Sequence, residues 1–284
     1  MIINWNIVHI KFFYGGAYKM KIEDLMKINN KGERVSAIYE IFDEDSRLSS
    51  KATRVEFYTT VRQIEKYLKP GMKILDLGAG TGEYSLYFVE KGYEVTSVEL
   101  VEKHVKRIKE KKKPGMNLNI YQGNALDLSE YEDNGYDIVL CLGPLYHLED
   151  RKDQLKCIEE VKRVCKKDGT MFFAFINNDM VIVTQTICYE PDYLVNGEYN
   201  RQTFKVKDFP FVFATVQQAR ELLQTSGLKI LAEIAGDGLS ELLAEKINNM
   251  DDESYQLWLS YHYYYSEKPE LLGASNHLLF AARK

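Results

Sequence analysis

The sequence predicts an α/β protein with a doubly wound, mostly parallel sheet. Between residues 73 and 176, short apolar runs with strand character alternate with helical segments, the order expected of a parallel sheet covered by helices on both faces. The run YDIVLCL at 136–142 is apolar throughout, as in a strand buried on both faces. An earlier run ends at Leu77 and leads directly into glycines at 78, 80 and 82.

The elements follow one another in a regular order. Apolar and alternating runs predict seven strands, and helical periodicity predicts the helices between them. We expect the helix after the fourth strand to be closed by Asp168-Gly169, before the fifth strand begins. The predicted strands are Lys73–Leu77, Glu94–Glu99, Leu118–Gln122, 136–142, 170–176, 228–234 and His277–Arg283, and the covering helices are 82–91, 101–112, 151–166 and 216–226.

The chain divides into two parts at the Pro70-Gly71 stop signal. Residues 1–69 are expected to form an N-terminal extension and a helical cap, because residues 21–69 have mostly helical spacing. Residues 1–19 are either a poorly ordered upstream extension or a docked edge segment, and they lack the basic start of a signal peptide. Residues 70–284 are expected to form the sheet domain, with inserts at about 177–214 and 237–276.

Composition excludes several classes of protein. The formal net charge of -5 and the sequence pI of about 5.7 argue against nucleic acid as the main partner. The basic run at 103–113 lies on a predicted amphipathic helix and is interpreted as a solvated face. The four cysteines form no C-x-x-C pair, so we expect reduced thiols in a cytoplasmic protein and no metal site. No apolar run is long enough for a membrane span, and an oligomer is compatible with the sequence.

The glycine-rich stretch ILDLGAGTGEYS at 74–85 predicts a ligand loop. A phosphate-binding P-loop requires Lys followed by Ser or Thr after its last glycine, but Glu83-Tyr84 stands there. A dinucleotide fingerprint requires a third glycine at the position of Glu83, which weakens that alternative without removing it. Glu99 ends the second strand, 21 residues after Gly78, where an acidic side chain can accept hydrogen bonds from ribose hydroxyls. The pattern therefore favours a ligand with ribose and adenine but no phosphate.

Four motifs in this order resemble the class I S-adenosylmethionine-dependent methyltransferases. They are DLGAGTG at 76–82, the acidic Glu99, GNALDL at 123–128 and YDIVLCLGPLYHL at 136–148. GPLYHL and the C-terminal EKPELLGASNHLLFAARK also resemble a bacterial subgroup whose substrate is usually unassigned. The resemblance covers roughly residues 35–284. It implies a Rossmann-like, mostly parallel sheet of seven strands with the last strand antiparallel.

The resemblance also implies a set of cofactor-binding residues. In this family the glycine loop wraps the methionine part and the ribose, a carboxylate lies near the amino group, and residues after the third and fourth strands border the adenine and the reaction site. The cofactor would be S-adenosylmethionine and its product S-adenosylhomocysteine. Carried over to this sequence, the residues are Asp76, Gly78, Ala79, Gly80, Glu99, Leu100, Asn124, Ala125, Leu142 and Gly143.

Methyl transfer from a sulfonium is an in-line displacement, so the protein mainly has to orient the two reactants. His147 is the candidate general base and Tyr146 a second catalytic candidate, because both follow the fourth strand. We expect a small-molecule acceptor; the alternatives are an NAD-dependent oxidoreductase and a non-catalytic cofactor-binding protein. Candidate substrate residues are Tyr39, Arg47, Arg54, Tyr58, Asn177, Trp258 and His262.

Overall fold

The computed structural model describes residues 22–284. The expectation for residues 1–19 and the first part of the predicted 1–69 segment therefore lie outside the described residues. Within the described part of the chain, the predicted Rossmann-like α/β fold is confirmed. No helix among residues 22–284 has both the length and the apolar character that a membrane crossing requires.

A single mixed sheet organises the molecule. Its strand order is β3-β2-β1-β4-β5-β8-β7, and a short β6 pairs with β5 outside this path. β1 to β5 are mutually parallel, whereas β8 runs antiparallel to both β5 and β7, as predicted for the last strand. The strands are β1 Lys73–Leu77, β2 Glu94–Glu99, β3 Leu118–Gln122, β4 Tyr136–Cys141, β5 Cys165–Asn177, β6 Phe213–Ala214, β7 Lys229–Ala235 and β8 His277–Arg283.

The start of β5 differs from the prediction. The helix before it ends at Val164, and the strand begins at Cys165. Only Cys165 pairs with β4 before Thr170, because the register passes from Tyr136–Cys165 to Ile138–Thr170 and leaves Lys-Lys-Asp-Gly at 166–169 as a bulge. Lys166 Nζ donates to Asp137 Oδ1 of β4 at 2.8 Å across this bulge.

Among residues 22–284, three helices precede the sheet: α1 Ile22–Leu25, α2 Lys31–Ile41 and α3 Lys51–Glu65. Asn30 caps α2 by accepting from Glu33 N, and Ser50 caps α3 in a capping box with Thr53. Leu25 of α1, Ile38 of α2 and Phe42, which follows α2, form a small apolar cluster with Phe209, and this cluster holds α2 across the carboxyl edge of the sheet.

The remaining helices cover the sheet or lie in the two inserts. The two apolar cores on opposite faces of the sheet make it doubly wound, as expected. The covering helices are α4 Glu83–Glu90, α5 Glu102–Lys111, α6 Arg151–Val164 and α9 Val216–Thr225. The first insert contains α7 Asn178–Thr184, a π-helix Gln185–Tyr189 and α8 Tyr193–Asn196. The second insert contains α10 Ala244–Asn248, α11 Asp252–Ser266 and a 3₁₀ helix Pro269–Ala274.

The second insert packs mainly on α3. Ala52 and Val55 of α3 share an apolar cluster with Ile247, Tyr255 and Leu259. Residues at the carboxyl ends of β1, β2 and β4 remain available to line a cavity under α2, at the point where the strand order reverses between β1 and β4.

Candidate cofactor and acceptor site

A cavity opens at the carboxyl ends of β1, β2 and β4, beneath α2. All ten residues predicted to bind the cofactor line it, and the two catalytic candidates, Tyr146 and His147, line it as well. Of the seven substrate candidates, Tyr39 and Arg47 line this cavity. The ten are Asp76, Gly78, Ala79, Gly80, Glu99, Leu100, Asn124, Ala125, Leu142 and Gly143.

The glycine loop is fixed by its backbone. Gly78 has φ of 72°, in the left-handed region, and its N–H donates to Val98 O of β2 at 2.8 Å. A Cβ at this position would lie only 2.8 Å from Pro144 Cδ, in the 3₁₀ helix Pro144–His147 that follows β4. Glycine is therefore required at position 78 for its conformation and for the close approach of two loops.

Glu99 is held in a fixed position at the end of β2. Its Oε2 accepts from Gly80 N at 2.7 Å, and its Oε1 accepts from Val101 N at 2.8 Å. The residue is only 5 % exposed. Because each carboxylate oxygen has a second lone pair, the group can accept further hydrogen bonds from a ligand without leaving this position.

Asp76 is the most deeply buried carboxylate of the cavity wall. Its Oδ2 accepts from Ser85 Oγ at 2.6 Å, and Ser85 Oγ lies 2.6 Å from Ser97 Oγ. Burial raises the pKa of Asp76 from its ordinary value to about 6. A carboxylate in this place is suited to an ammonium group, which would restore a lower pKa.

Three aromatic side chains form the wall beside β4. The hydroxyl of Tyr39 lies 2.9 Å from Nε2 of His147, and the rings of Tyr146 and His147 have centroids 5.1 Å apart. Burial lowers the pKa of His147 to about 3 and raises that of Tyr146 above its ordinary value. Both groups are therefore uncharged at neutral pH.

Arg54 and Tyr58 do not line the cavity. Arg54 donates to Glu83 Oε2 at 3.0 Å, and its guanidinium lies 4.1 Å from the centroid of the Phe57 ring. Tyr58 packs at the edge of the apolar core between α3 and the second insert. Although α3 begins near the cavity, these side chains of the helix face other partners.

The other three substrate candidates have structural partners instead. Asn177 donates to the carbonyl oxygens of Gly273 and Ser275, both at 3.0 Å. His262 is buried, with Nε2 3.2 Å from Gly236 O. Trp258 packs in the cluster between α3 and the second insert. These three side chains do not line the cavity described here, so their contact with a substrate stays a prediction.

The sequence analysis missed Glu44 and His104, which also line the cavity. His104 lies on α5 with Nδ1 3.7 Å from Glu99 Oε1. It shares the inward face of α5 with Val105 and Ile108, so helical spacing alone would have found it. Glu44 lies in the connection between α2 and α3, where no periodic pattern marks it.

Comparison with known proteins identifies the domain that builds this cavity. Residues 75–173, from β1 into β5, match a family model described as methyltransferase domain. These residues are therefore similar to a methyltransferase domain, which supports the predicted enzyme class and, with it, the predicted cofactor S-adenosylmethionine.

Two curated relatives are similar to the methyltransferase domain. A putative methyltransferase of Bacillus subtilis is 30 % identical over 110 residues, which are 39 % of this chain and 44 % of that protein. A glycine/sarcosine N-methyltransferase of Aphanothece halophytica is 29 % identical over 112 residues, 39 % of this chain and 42 % of that protein. The chain thus matches less than half the length of each relative.

The fold has counterparts among solved structures. A SAM-dependent methyltransferase from Methanosarcina mazei superposes with a TM-score of 0.51 and 20 % identity, covering 78 % of this chain and 96 % of that one. At this identity the likeness concerns the fold.

Proposed function

We propose that this protein is an S-adenosylmethionine-dependent methyltransferase that transfers a methyl group to a small-molecule acceptor. The observation that carries the proposal is Glu99, a carboxylate fixed by Gly80 N and Val101 N at the end of β2. This arrangement suits the two hydroxyls of a ribose. The small acceptor is supported by the similar protein of Aphanothece halophytica, which is named for methylating glycine and sarcosine.

The alternative of an NAD-dependent oxidoreductase is disfavoured by Glu83. This residue begins α4, where the pyrophosphate of a dinucleotide would approach the helix N-terminus. Glu83 is paired with Arg54 at 3.0 Å and with Lys111 at 3.3 Å, so both cations are already engaged by a carboxylate. The alternative of a non-catalytic binder predicts the same cavity and differs only in lacking turnover.

The reaction itself requires orientation above all. Bound S-adenosylmethionine would supply a methyl group already activated by its sulfonium, and the acceptor would have to present a lone pair in line with the carbon–sulfur bond. The acceptor then loses a proton to water or to a base. We propose that Tyr39, Tyr84 and Tyr146, which line the cavity, exclude water and present ring faces to the sulfonium.

We propose that Tyr146 contributes a hydroxyl that stays protonated, since burial raises its pKa. The role of His147 as general base stays a prediction, and its pKa of about 3 argues against it, because a base works best with a pKa near the operating pH. An acceptor that arrives with a free lone pair, such as a neutral amine, requires no such base. His147 then serves as a wall and, through Nε2, as a partner of Tyr39.

The setting of the enzyme is also a proposal. Its four free cysteines support a cytoplasmic location. The net charge of -5 supports an acceptor other than nucleic acid. Membership of the subgroup with the GPLYHL motif, oligomer formation and the division at residues 69 and 70 stay predictions.

Calorimetric binding tests the proposed function. The wild type should bind S-adenosylmethionine and S-adenosylhomocysteine at micromolar concentrations and leave NAD unbound. Glu99→Ala should lose roughly 100-fold in affinity for both sulfur ligands, since two hydrogen bonds to a charged group disappear. Glu102→Ala is the matched control, because Glu102 is exposed on α5 and pairs only with Lys106 among the described residues.

Binding of NAD alone, or of none of the three ligands, would overturn the proposal. Thermal unfolding of Glu99→Ala and of the milder Glu99→Gln distinguishes loss of the ligand contact from loss of the fold. Formation of S-adenosylhomocysteine in the presence of acceptor mixtures then separates an enzyme from a non-catalytic binder.

A further inference from the structure

His277 begins β8 at the carboxyl edge of the sheet, on the side away from the glycine loop. It pairs with Ile176 of β5, and β5 lies next to β4. Because neighbouring strands are about 4.8 Å apart, His277 lies roughly 10 Å from the end of β4 and farther from β1 and β2. We propose that His277 binds the methyl acceptor and that this acceptor carries a carboxylate, which accepts a hydrogen bond from Nε2. The inference deepens the proposed function and rests on it.

Asp237, which follows β7, fixes the orientation of the His277 ring. Asp237 Oδ2 lies 2.8 Å from His277 Nδ1, and Oδ1 accepts from His277 N at 3.1 Å. Ser275 Oγ also donates to Asp237 Oδ1, and it accepts from Gly238 N at 2.9 Å. Since the carboxylate is held from several sides, it directs the Nδ1 edge of the ring toward itself and leaves Nε2 for another partner.

The Nε2 atom of His277 is open to a ligand. It has no hydrogen-bond partner among residues 22–284 and is not one of their buried polar atoms, and the side chain is 30 % exposed. The other carboxylates near the ring are already bound. Glu56 accepts from Arg47 Nη1 at 2.8 Å, and Glu241 accepts from Tyr189 Oη at 2.7 Å. A ligand that approaches the ring therefore meets a free N–H group.

The charge of the ring decides which ligand this N–H group suits. Burial lowers the pKa of His277, but Glu56 and Asp237 raise it more, to about 9, against the opposing charge of Arg47. The ring is thus an imidazolium at pH 7, in which both nitrogens can only donate. A carboxylate forms a strong, charge-assisted hydrogen bond with such a donor, whereas an ammonium offers only donors and carries the same charge.

The position of His277 agrees with an acceptor and not with the cofactor. Under the proposed function, Glu99 at the end of β2 and the loop after β1 hold the cofactor over those two strands. Arg47 lines the cavity, and its partner atom Glu56 Oε2 lies 3.6 Å from His277 Nδ1. His277 is therefore separated from the cavity wall by one carboxylate, on the side that the ribose and adenine leave free. A small molecule anchored there can extend its nucleophile toward the cavity.

Methyl transfer to matched pairs of small molecules tests the proposal. The acids are glycine, β-alanine, salicylate and anthranilate, and each is compared with its primary carboxamide, which keeps the nucleophile and the size but lacks the negative charge. With labelled S-adenosylmethionine, the wild type should methylate at least one acid, with a kcat/KM at least roughly 10-fold higher than for its carboxamide.

His277→Asn should raise the KM for that acid by roughly 10- to 100-fold and change kcat less, because a charge-assisted hydrogen bond to the acceptor is lost. Its affinity for S-adenosylhomocysteine, measured by calorimetry, should equal that of the wild type, which also shows that the cavity is intact. Arg283→Gln is the matched control, since Arg283 is the last residue of β8 and lies at the opposite edge of the sheet. It should leave both the KM and the affinity unchanged.

Asp237→Asn distinguishes binding by the charged ring from a structural role. The charged and titratable groups that face His277 are Glu56 of α3, Asp237 and Glu241 after β7, and Arg47 between α2 and α3. The substitution removes one of the two charges that keep the ring protonated but leaves an oxygen for Nδ1. The KM of the wild type for the acid should stay nearly constant from pH 7 to pH 8, whereas that of Asp237→Asn should rise.

The proposal is overturned if the wild type methylates none of the acids, or if it methylates an acid and its carboxamide equally well. An unchanged KM in His277→Asn would also overturn it, as would an equal loss of affinity for S-adenosylhomocysteine, because the residue would then support the cofactor site. Failure of the wild type to bind S-adenosylhomocysteine is a different result, which would overturn the proposed function itself.

Discussion

The two halves of the carboxyl edge of the sheet are built in different ways. Over β1, β2 and β4, backbone groups do most of the positioning: loop N–H groups bind Val98 O and Glu99, and a glycine allows the loops to meet. Over β5, β8 and β7, side chains from distant segments form a partly buried series of ion pairs, in which His277 Nδ1 lies 3.6 Å from Glu56 Oε2 and 2.8 Å from Asp237 Oδ2. A site positioned by backbone groups suits a cofactor that is always the same. The half positioned by side chains can be altered by substituting single residues.

The largest effect is expected in the backbone-built half. Gly78→Ala should abolish binding of S-adenosylhomocysteine, with a loss above 100-fold, because its Cβ would lie 2.8 Å from Pro144 Cδ as well as straining φ. Gly71→Ala is the matched control: Gly71 has φ of 81° and no atom within 4 Å of an added Cβ. It should cost about 1 kcal/mol of stability and leave affinity unchanged. Similar affinities for the two variants would contradict the backbone explanation.

A smaller effect, on stability, is expected in the half built from side chains. Burial lowers the pKa of His277, but Glu56 and Asp237 raise it more, to about 9, against the opposing charge of Arg47. A pKa raised in the folded state means that the stabilisation is complete below the unfolded value of about 6.5. It is lost as pH rises through about 9. The free energy of unfolding of the wild type should therefore fall between pH 7 and pH 10.

His277→Asn should remove the decrease in the free energy of unfolding between pH 7 and pH 10. At pH 7 it should be less stable than the wild type by about 1–2 kcal/mol, a value reduced for the water that screens a ring 30 % exposed. His262→Asn is the matched control, because burial lowers the pKa of His262 to about 4 and it stays neutral throughout this range. Denaturant unfolding at several pH values measures both. An unchanged slope in His277→Asn would show that another group titrates.

The same comparison explains what could be predicted from sequence. Glu99 and the glycine loop were found because Glu99 ends β2 and the loop directly follows β1, so their positions in the sequence already place both at the carboxyl edge of the sheet. The charged residues around Arg47 were not predicted as a group from the sequence, because Glu56 and His277 are far apart in the chain and come together only when the sheet forms. The start of β5 differs from the prediction because Cys165 pairs with Tyr136 ahead of a bulge at 166–169, a long-range pairing that the local turn signal does not reveal.

Asp76 differs from the other groups over β1, β2 and β4, because it is a side chain that titrates in the half of the edge where backbone groups do most of the positioning. Burial raises its pKa to about 6, so the free carboxyl becomes protonated as pH falls through that value. We propose that the ammonium of S-adenosylhomocysteine pairs with the charged form of Asp76, and we therefore expect the affinity for this ligand to fall by about five- to tenfold between pH 7.5 and pH 5. Binding near pH 6 should also release protons, which calorimetry in buffers of different ionisation enthalpy detects.

Asp76→Asn should bind S-adenosylhomocysteine more weakly than the wild type. Its affinity should not fall between pH 7.5 and pH 5, and its binding should release no protons, because an amide does not titrate. Asp127→Asn is the matched control, since Asp127 is exposed after β3 and its pKa is lowered by Ser129, so it stays charged across this range. A decline that persists in Asp76→Asn would place the titrating group elsewhere in the cavity wall. A decline confined to the wild type and Asp127→Asn would mean that one side chain gives the otherwise backbone-built half its dependence on pH.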